Sequence, residues 1–228
     1  MAGKENTKNR KAYHDIVIEL ASAIENGKTH DVIALLAKGL SSGHTAEALY
    51  HDGMIKGMLD IGVRFQNHEV FVPEVLIAAR ALKKGMEILK PALIDEGVKP
   101  IGNAVIATVA GDLHDIGKNM VCMMLEGVGF KVYDLGVDVS NEAILEAVKK
   151  HQPDILALSA LLNPTVNQVR SAIQYVENNG MRDKVRILVG GSPLDEAFAK
   201  KIGADAYAQD AVSAAEVAKE LINYKTEG

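Results

Sequence analysis

The apolar period of this chain changes once, at Glu96-Gly97-Val98-Lys99-Pro100, and that change limits the folds open to it. After the break, apolar strand-like runs fall at 104–110, 131–135, 154–160, 185–189 and 205–208, each followed by a segment with helical spacing. Alternation of this kind predicts a parallel sheet with helices on both faces, since parallel neighbours need a crossover of helix length. Five such strands predict an α/β domain with the flavodoxin-like order 2-1-3-4-5, whose switch point lies between strands 1 and 3.

Before the break the spacing is helical, with almost no strand signal. Ile16, Ile18, Leu20, Ala21 and Ile24 line a first helix that stops near Gly27. Thr29 is the expected N-cap of a second, which runs through Val32, Leu35, Leu36 and Leu40 to Ser41-Ser42-Gly43. A third spans about 45–65, with Leu49, Met54, Met58 and Ile61 on its inner face. Pro73 suits the first turn of a fourth, which carries Val75, Leu76, Ala79, Leu82, Met86 and Leu89 up to Pro91. Four amphipathic helices with short connections read as a bundle over 1–95, and the α/β domain takes 101–228.

Composition removes several function classes. A net charge of −5 without a basic cluster argues against nucleic-acid binding. No apolar run approaches the ~20 residues needed to span a bilayer, and the polar first residues lack the apolar core of a secretion signal. The single cysteine, Cys122, excludes an internal disulfide and fits a reducing, cytoplasmic setting. It shares an apolar helix face with Met120, Met123 and Met124, so a buried, inert thiol is expected.

The chemistry concentrates in Gly111-Asp112-Leu113-His114-Asp115-Ile116-Gly117, where the first strand gives way to a helix. A carboxylate beside an imidazole fixes its tautomer and makes the other ring nitrogen a better base or metal ligand. The glycines allow a tight turn and a close approach by a ligand. Ser159 and Leu161 follow strand 3, and Gly190-Gly191 ends strand 4, so the unusual residues all gather at carboxyl ends. That is where open α/β sheets bind ligands.

Familiar occupants of such a crevice fit poorly. Asp112 and Asp115 would repel a flavin phosphate. A phospho-receiver needs an aspartate at the end of strand 3, which here ends in Ser159. No G-x-G-x-x-G follows the first strand, so dinucleotide binding fails too. Of seven histidines, His14, His30, His44, His51, His68 and His151 are scattered and have no cysteine partner at ligand spacing. His114 remains, and a single imidazole serves well as axial ligand to a metal already held by a macrocycle.

Asp112-x-His114-x-x-Gly117, then 41 residues, Ser159-x-Leu161, then 28 residues, Gly190-Gly191 resembles the signature of base-off, His-on cobalamin-binding domains. The helical part is similar to the cap module of methyl-transferring corrinoid proteins, through Phe65 and Phe71-Val72-Pro73-Glu74. Closest in layout are the corrinoid subunits of methanol, methylamine and methoxyaromatic methyltransferase systems, and the cobalamin module of methionine synthase is built similarly. The resemblance implies a cobalamin or related corrinoid that cycles between methylcobalamin and Co(I) forms.

It further implies His114 as lower cobalt ligand, and Asp112 as acceptor of a hydrogen bond from the other ring nitrogen. Thr165, where serine is common in the family, would extend that relay. Ser159, Leu161, Gly190 and Gly191 would line the channel for the displaced nucleotide tail, with Ala211 closing its end. Gly111, Leu113, Asp115, Ile116 and Asn163 join the implied cofactor contacts, while Phe65 and Val72 would shield the methyl-bearing face. The implied partners are a substrate:corrinoid methyltransferase, an acceptor methyltransferase using tetrahydrofolate or coenzyme M, and a reductive activation protein. The chain would then be a methyl-carrying subunit and not a complete enzyme. A coenzyme-B12 mutase subunit shares the signature but generally lacks the helical part. A B12-sensing regulator would need a DNA-binding module, for which the sequence shows no segment.

Overall fold

In a computed structural model, residues 15–223 are described, and the chain divides into two compact units between Lys99 and Pro100. The first unit is helical. Residues 15–25 form α1 and Thr29–Ser41 form α2. Thr29 is not the N-cap: it is the first helical residue, and Lys28 precedes it with no capping side chain. The reason is the tightness of the corner. Gly27 turns at φ +64 while Lys28 N–H donates to Ala23 O at 2.8 Å, so α1 ends directly against the start of α2. Ile18 also departs from expectation, standing 52% exposed while Ile16, Leu20, Ala21 and Ile24 are buried.

The third helical stretch is three pieces in one: α3 (Ala46–Ala48), a π-helix (Leu49–Ile55) and α4 (Lys56–Gln66). Leu49, Met54, Met58 and Ile61 are buried in it as the spacing predicts, each contributing about 1.5–3 kcal/mol by burial. Two glycines let this stretch lie close on α1. A Cβ at Gly53 would meet the Leu20 side chain at 2.6 Å, and one at Gly57 would meet Ala21 O at 2.3 Å.

Helix α5 (Val72–Asp95) begins as expected, with Pro73 in its first turn and Phe71 N–H donating to Glu74 Oε2 at 3.2 Å. It does not stop at Pro91 but runs four residues further. Proline inside a helix costs about 3 kcal/mol. Here the next residue past the helix makes good use of the extra turn. The Glu96 carboxylate accepts Ala46 N–H at 2.7 Å and Glu47 N–H at 3.0 Å, satisfying the start of α3.

The second unit holds five parallel strands: β1 Gly102–Thr108, β2 Phe130–Asp134, β3 Ile155–Ser159, β4 Arg186–Gly190 and β5 Ala206–Ala208. Their order is β2-β1-β3-β4-β5, the one expected from the sequence. Helices α6 (Ile116–Gly127) and α10 (Ala211–Asn223) pack together, as do α7 (Asn141–His151) and α8 (Val166–Asn178). Helix α9 (Glu196–Lys201) packs beside β5. Val105, Ala107, Leu156, Leu158, Ile187 and Val189 form the centre of the core that α7 and α8 cover.

Register places the functional end. Thr108 pairs with Ser159, Ser159 with Gly190, and Gly190 with Ala208, so the carboxyl ends of four strands stand in one row. Gly57→Ala tests the first unit's packing. The added methyl has a carbonyl oxygen in its way, so unfolding in urea should show a loss of about 2 kcal/mol or more. A neutral result would mean that α1 does not lie this close.

Candidate active site

Strand β1 ends at Thr108 and the chain turns at Gly111, φ +79, into the Asp112–Gly117 segment and then α6. The positive φ belongs to Gly111 alone of the two loop glycines. Gly117 is helical, and a Cβ there would meet nothing within 4 Å. The turn therefore needs the first glycine, while the second leaves open room where a ligand can approach.

Asp112 has no exposed side-chain surface. Its Oδ1 accepts His114 N–H at 3.1 Å and His114 Nδ1–H at 2.8 Å. Its Oδ2 accepts Leu161 N–H at 2.7 Å, Leu162 N–H at 3.3 Å and the Thr165 hydroxyl at 2.7 Å. Burial alone would raise this carboxyl's pKa. The donors from Leu161, Thr165 and His114 outweigh burial and hold it well below the usual carboxylate range. An ionised carboxylate can only accept, so Nδ1 carries the ring proton and the Nε2 lone pair points away.

The structure thus brings together Asp112, His114, Leu161 and Thr165, which lie apart in sequence. The His114 ring is 49% exposed. Around it the apolar side chains of Leu113 (72%) and Ile116 (69%) are exposed, as are those of Leu161 and Leu162. Asn163 opens the short 3-10 turn Asn163–Thr165 and is exposed, and Asp115 accepts Asn119 Nδ2 at 3.0 Å. Ser159 closes β3 and Gly190 closes β4. Gly191 has a packing reason for its identity: at φ +128, a Cβ would stand 1.9 Å from Ala160 O. Ala211 starts α10, buried, beside an Asp210 whose Oδ1 accepts Val212 and Ser213 N–H. Phe65, on α4, and Val72, first in α5, are both half-buried within the helical unit.

Three groups that sequence reasoning missed support the turn. The buried Thr108 hydroxyl donates to His114 O at 3.0 Å. Asp138 Oδ1 accepts Gly111 N–H at 2.6 Å. Lys118, buried, donates to both Asp134 oxygens at 2.6 Å. The only advance signal was a buried-strand threonine and a lysine among apolar neighbours. Cys122 is buried as expected; burial first, then the Asp134 charge, pushes its thiol up to about 12, far from a reactive thiolate.

A lone imidazole with an oriented Nδ1 suits the axial face of a corrinoid, and the apolar rim suits a large flat macrocycle. Among the described residues no three His, Cys, Asp or Glu side chains gather as metal donors. A metal held here brings most of its ligands with it, as cobalt does in a corrin ring.

Asp112→Asn separates charge from shape. The lowered carboxyl makes its contribution above its unfolded pKa of about 4, and that contribution is lost as pH falls through the folded value. The variant should lose about 3 kcal/mol or more at pH 7, and the deficit should shrink below pH ~4 when measured by urea unfolding. A deficit independent of pH would show that the charge contributes nothing.

Comparison with known proteins gives the family. Two family models, each described as a B12 binding domain, match residues 102–216 and 18–90. A dimethylamine corrinoid protein of Methanosarcina barkeri is 40% identical over 91% of this chain and 98% of its own length. A cobalamin-binding protein of Desulfitobacterium hafniense superposes with a TM-score of 0.77 at 29% identity, over 90% of this chain and 98% of that one. The methanol:cobalamin methyltransferase complex of Methanosarcina barkeri gives 0.81 at 29% identity, over 92% of this chain and 80% of the matched one. No helix among the described residues is long and apolar enough to cross a membrane. The chain belongs to the B12 binding domain family: it is a corrinoid protein, and its cofactor is a corrinoid.

Proposed function

We propose that this chain carries a methyl group between two methyltransferases, one specific for a methylated substrate and one that loads an acceptor such as tetrahydrofolate or coenzyme M. The observation that carries the reading is His114, oriented through Nδ1 by Asp112 and leaving Nε2 free at the carboxyl end of the sheet. When bound, the corrinoid supplies a cobalt centre that takes up a methyl group and gives it up again. The chain's own work is ligation, orientation and shielding. His114 would hold the corrinoid's metal through Nε2. Ser159, Leu161, Gly190, Gly191 and Ala211 would accommodate the cofactor's nucleotide tail. Phe65 and Val72, half-buried in the helical unit, would be the residues to shield the methyl group from water.

His114 would hold that metal reversibly, since a carrier has to give up what it takes on. A ring released in this way would keep its Nδ1–H bond to Asp112 and so its orientation. Asp112 stays ionised throughout, since five hydrogen bonds hold its charge. Methylated amines are the first donors to test, because a dimethylamine corrinoid protein is among the similar relatives. A reductive activation protein would restore the Co(I) state after stray oxidation.

His114→Ala is the deciding variant. Electron paramagnetic resonance of the Co(II)-loaded wild type should show nitrogen superhyperfine splitting, and the variant should lack it and bind the corrinoid ~10-fold or more weakly. Identical spectra would sink the assignment. Carriage itself is read by stoichiometric demethylation of dimethylamine, with methanol as comparison, in the presence of candidate partner methyltransferases. A loaded protein that accepts no methyl group from any of them would refute it.

A further inference from the structure

We infer that Asp138, in the loop between β2 and α7, is a positioning residue that holds the His114 turn in register; its bearing on metal ligation rests on the His114 reading above. The turn is gripped from two sides. From the β3 side, Leu161, Leu162 and Thr165 donate to the Asp112 side chain. From the β2 side the grip is on the main chain. Gly111 N–H donates to Asp138 Oδ1 at 2.6 Å, and Asp138 N–H donates to Asp112 O at 2.9 Å. This reciprocal pair brackets the Gly111–Asp112 peptide.

Asp138 makes the bracket from φ +53, a left-handed conformation that aspartate and asparagine tolerate better than most residues. Such backbone persists where the surroundings over-determine it. Here Thr108 N–H donates to Gly136 O at 3.0 Å and Val139 N–H to Thr108 O at 3.1 Å, on either side of Asp138. Strand β2 itself reaches the start of α6, where its last residue, Asp134, takes the buried Lys118 ammonium. In sequence His114 therefore lies between two anchored points, one held from the β2–α7 loop by Asp138 and one from the end of β2 by Asp134.

The bracket matters because donors on a side chain cannot by themselves locate an imidazole. With its main chain free, Asp112 could rotate toward the β3 loop and carry the His114 partner oxygen with it. Fixing the Asp112 carbonyl to Asp138 removes that freedom. A metal ligand needs placement within about 0.5 Å, so this is the scale on which the bracket acts.

Two substitutions test it. Asp138→Gly removes the carboxylate while keeping both the N–H and an easy positive φ. Asp138→Asn keeps an acceptor oxygen and a tolerated φ. In the cofactor-free protein, amide hydrogen exchange is read at His114 and Leu161, which do not touch Asp138, with Leu188 in β4 as control. Asp138→Gly should speed exchange at His114 and Leu161 about tenfold, and Asp138→Asn should restore it, with Leu188 unchanged. In the Co(II)-loaded protein, Asp138→Gly should weaken the nitrogen splitting and lower corrinoid affinity about tenfold. Faster exchange confined to Gly111, or an equal rise at Leu188, would overturn the inference. A wild type without nitrogen splitting would instead refute ligation by His114, while the exchange data would still decide what Asp138 holds.

Discussion

The structure of the site depends on one buried negative charge. Asp112 has no exposed side-chain surface, and taking a bare carboxylate out of water is prohibitive unless donors replace the water. Five donors do so, and they come from three places: the turn itself, the end of β3, and the Thr165 hydroxyl just before α8. Hydrogen bonds to a charged group contribute about 1.5–3 kcal/mol each, enough together to offset the desolvation. The charge thereby ties β1, β3 and α8 into one unit at the crevice. It also leaves the imidazole a single option, with Nδ1 turned inward and Nε2 outward.

Much of this was legible because it is written in local patterns. The change of period near residue 96 separates a helical from an alternating region, and each pattern needs only neighbouring residues to be read. The strand order is the flavodoxin-like one that five strands alternating with helices led us to expect. Asp112 and His114 stood out because two polar residues at the end of an apolar strand need a reason. What stayed hidden depends on contacts between distant segments. The Leu49–Ile55 π-helix has no sequence signal. The continuation of α5 past Pro91 depends on Glu96 meeting Ala46 and Glu47, fifty residues back. Asp138 looks like any loop aspartate until the fold brings it against Gly111.

Gly190 and Gly191 show how one residue can answer to two constraints. Sequence resemblance assigns them to a channel that side chains would block. The structure adds a second demand, independent of any ligand. A Cβ at Gly190 would stand 3.1 Å from Ala208 O, and one at Gly191 would overlap Ala160 O. The glycines are needed so that chain leaving β4 can pass the ends of β3 and β5. Glycine at these two positions is thus required by backbone packing whether or not a ligand passes there.

Under the proposed reading, a ligand that must bind and later release poses opposing demands, which the site would divide between two residues. Holding His114 calls for rigidity, which the Asp112 hydrogen bonds and the Thr108 bond to the His114 carbonyl supply. Letting go calls for a polar atom outside that network. Asp112 cannot supply it, because its donors occupy both oxygens and depress its acidity range far below neutrality. Were it to titrate, every release would unmake the network that binds β1 to β3. Nε2 is that atom: it is the ring nitrogen that Asp112 does not hold, and under the proposed reading it could take up or give up a metal without disturbing the bonds made through Asp112.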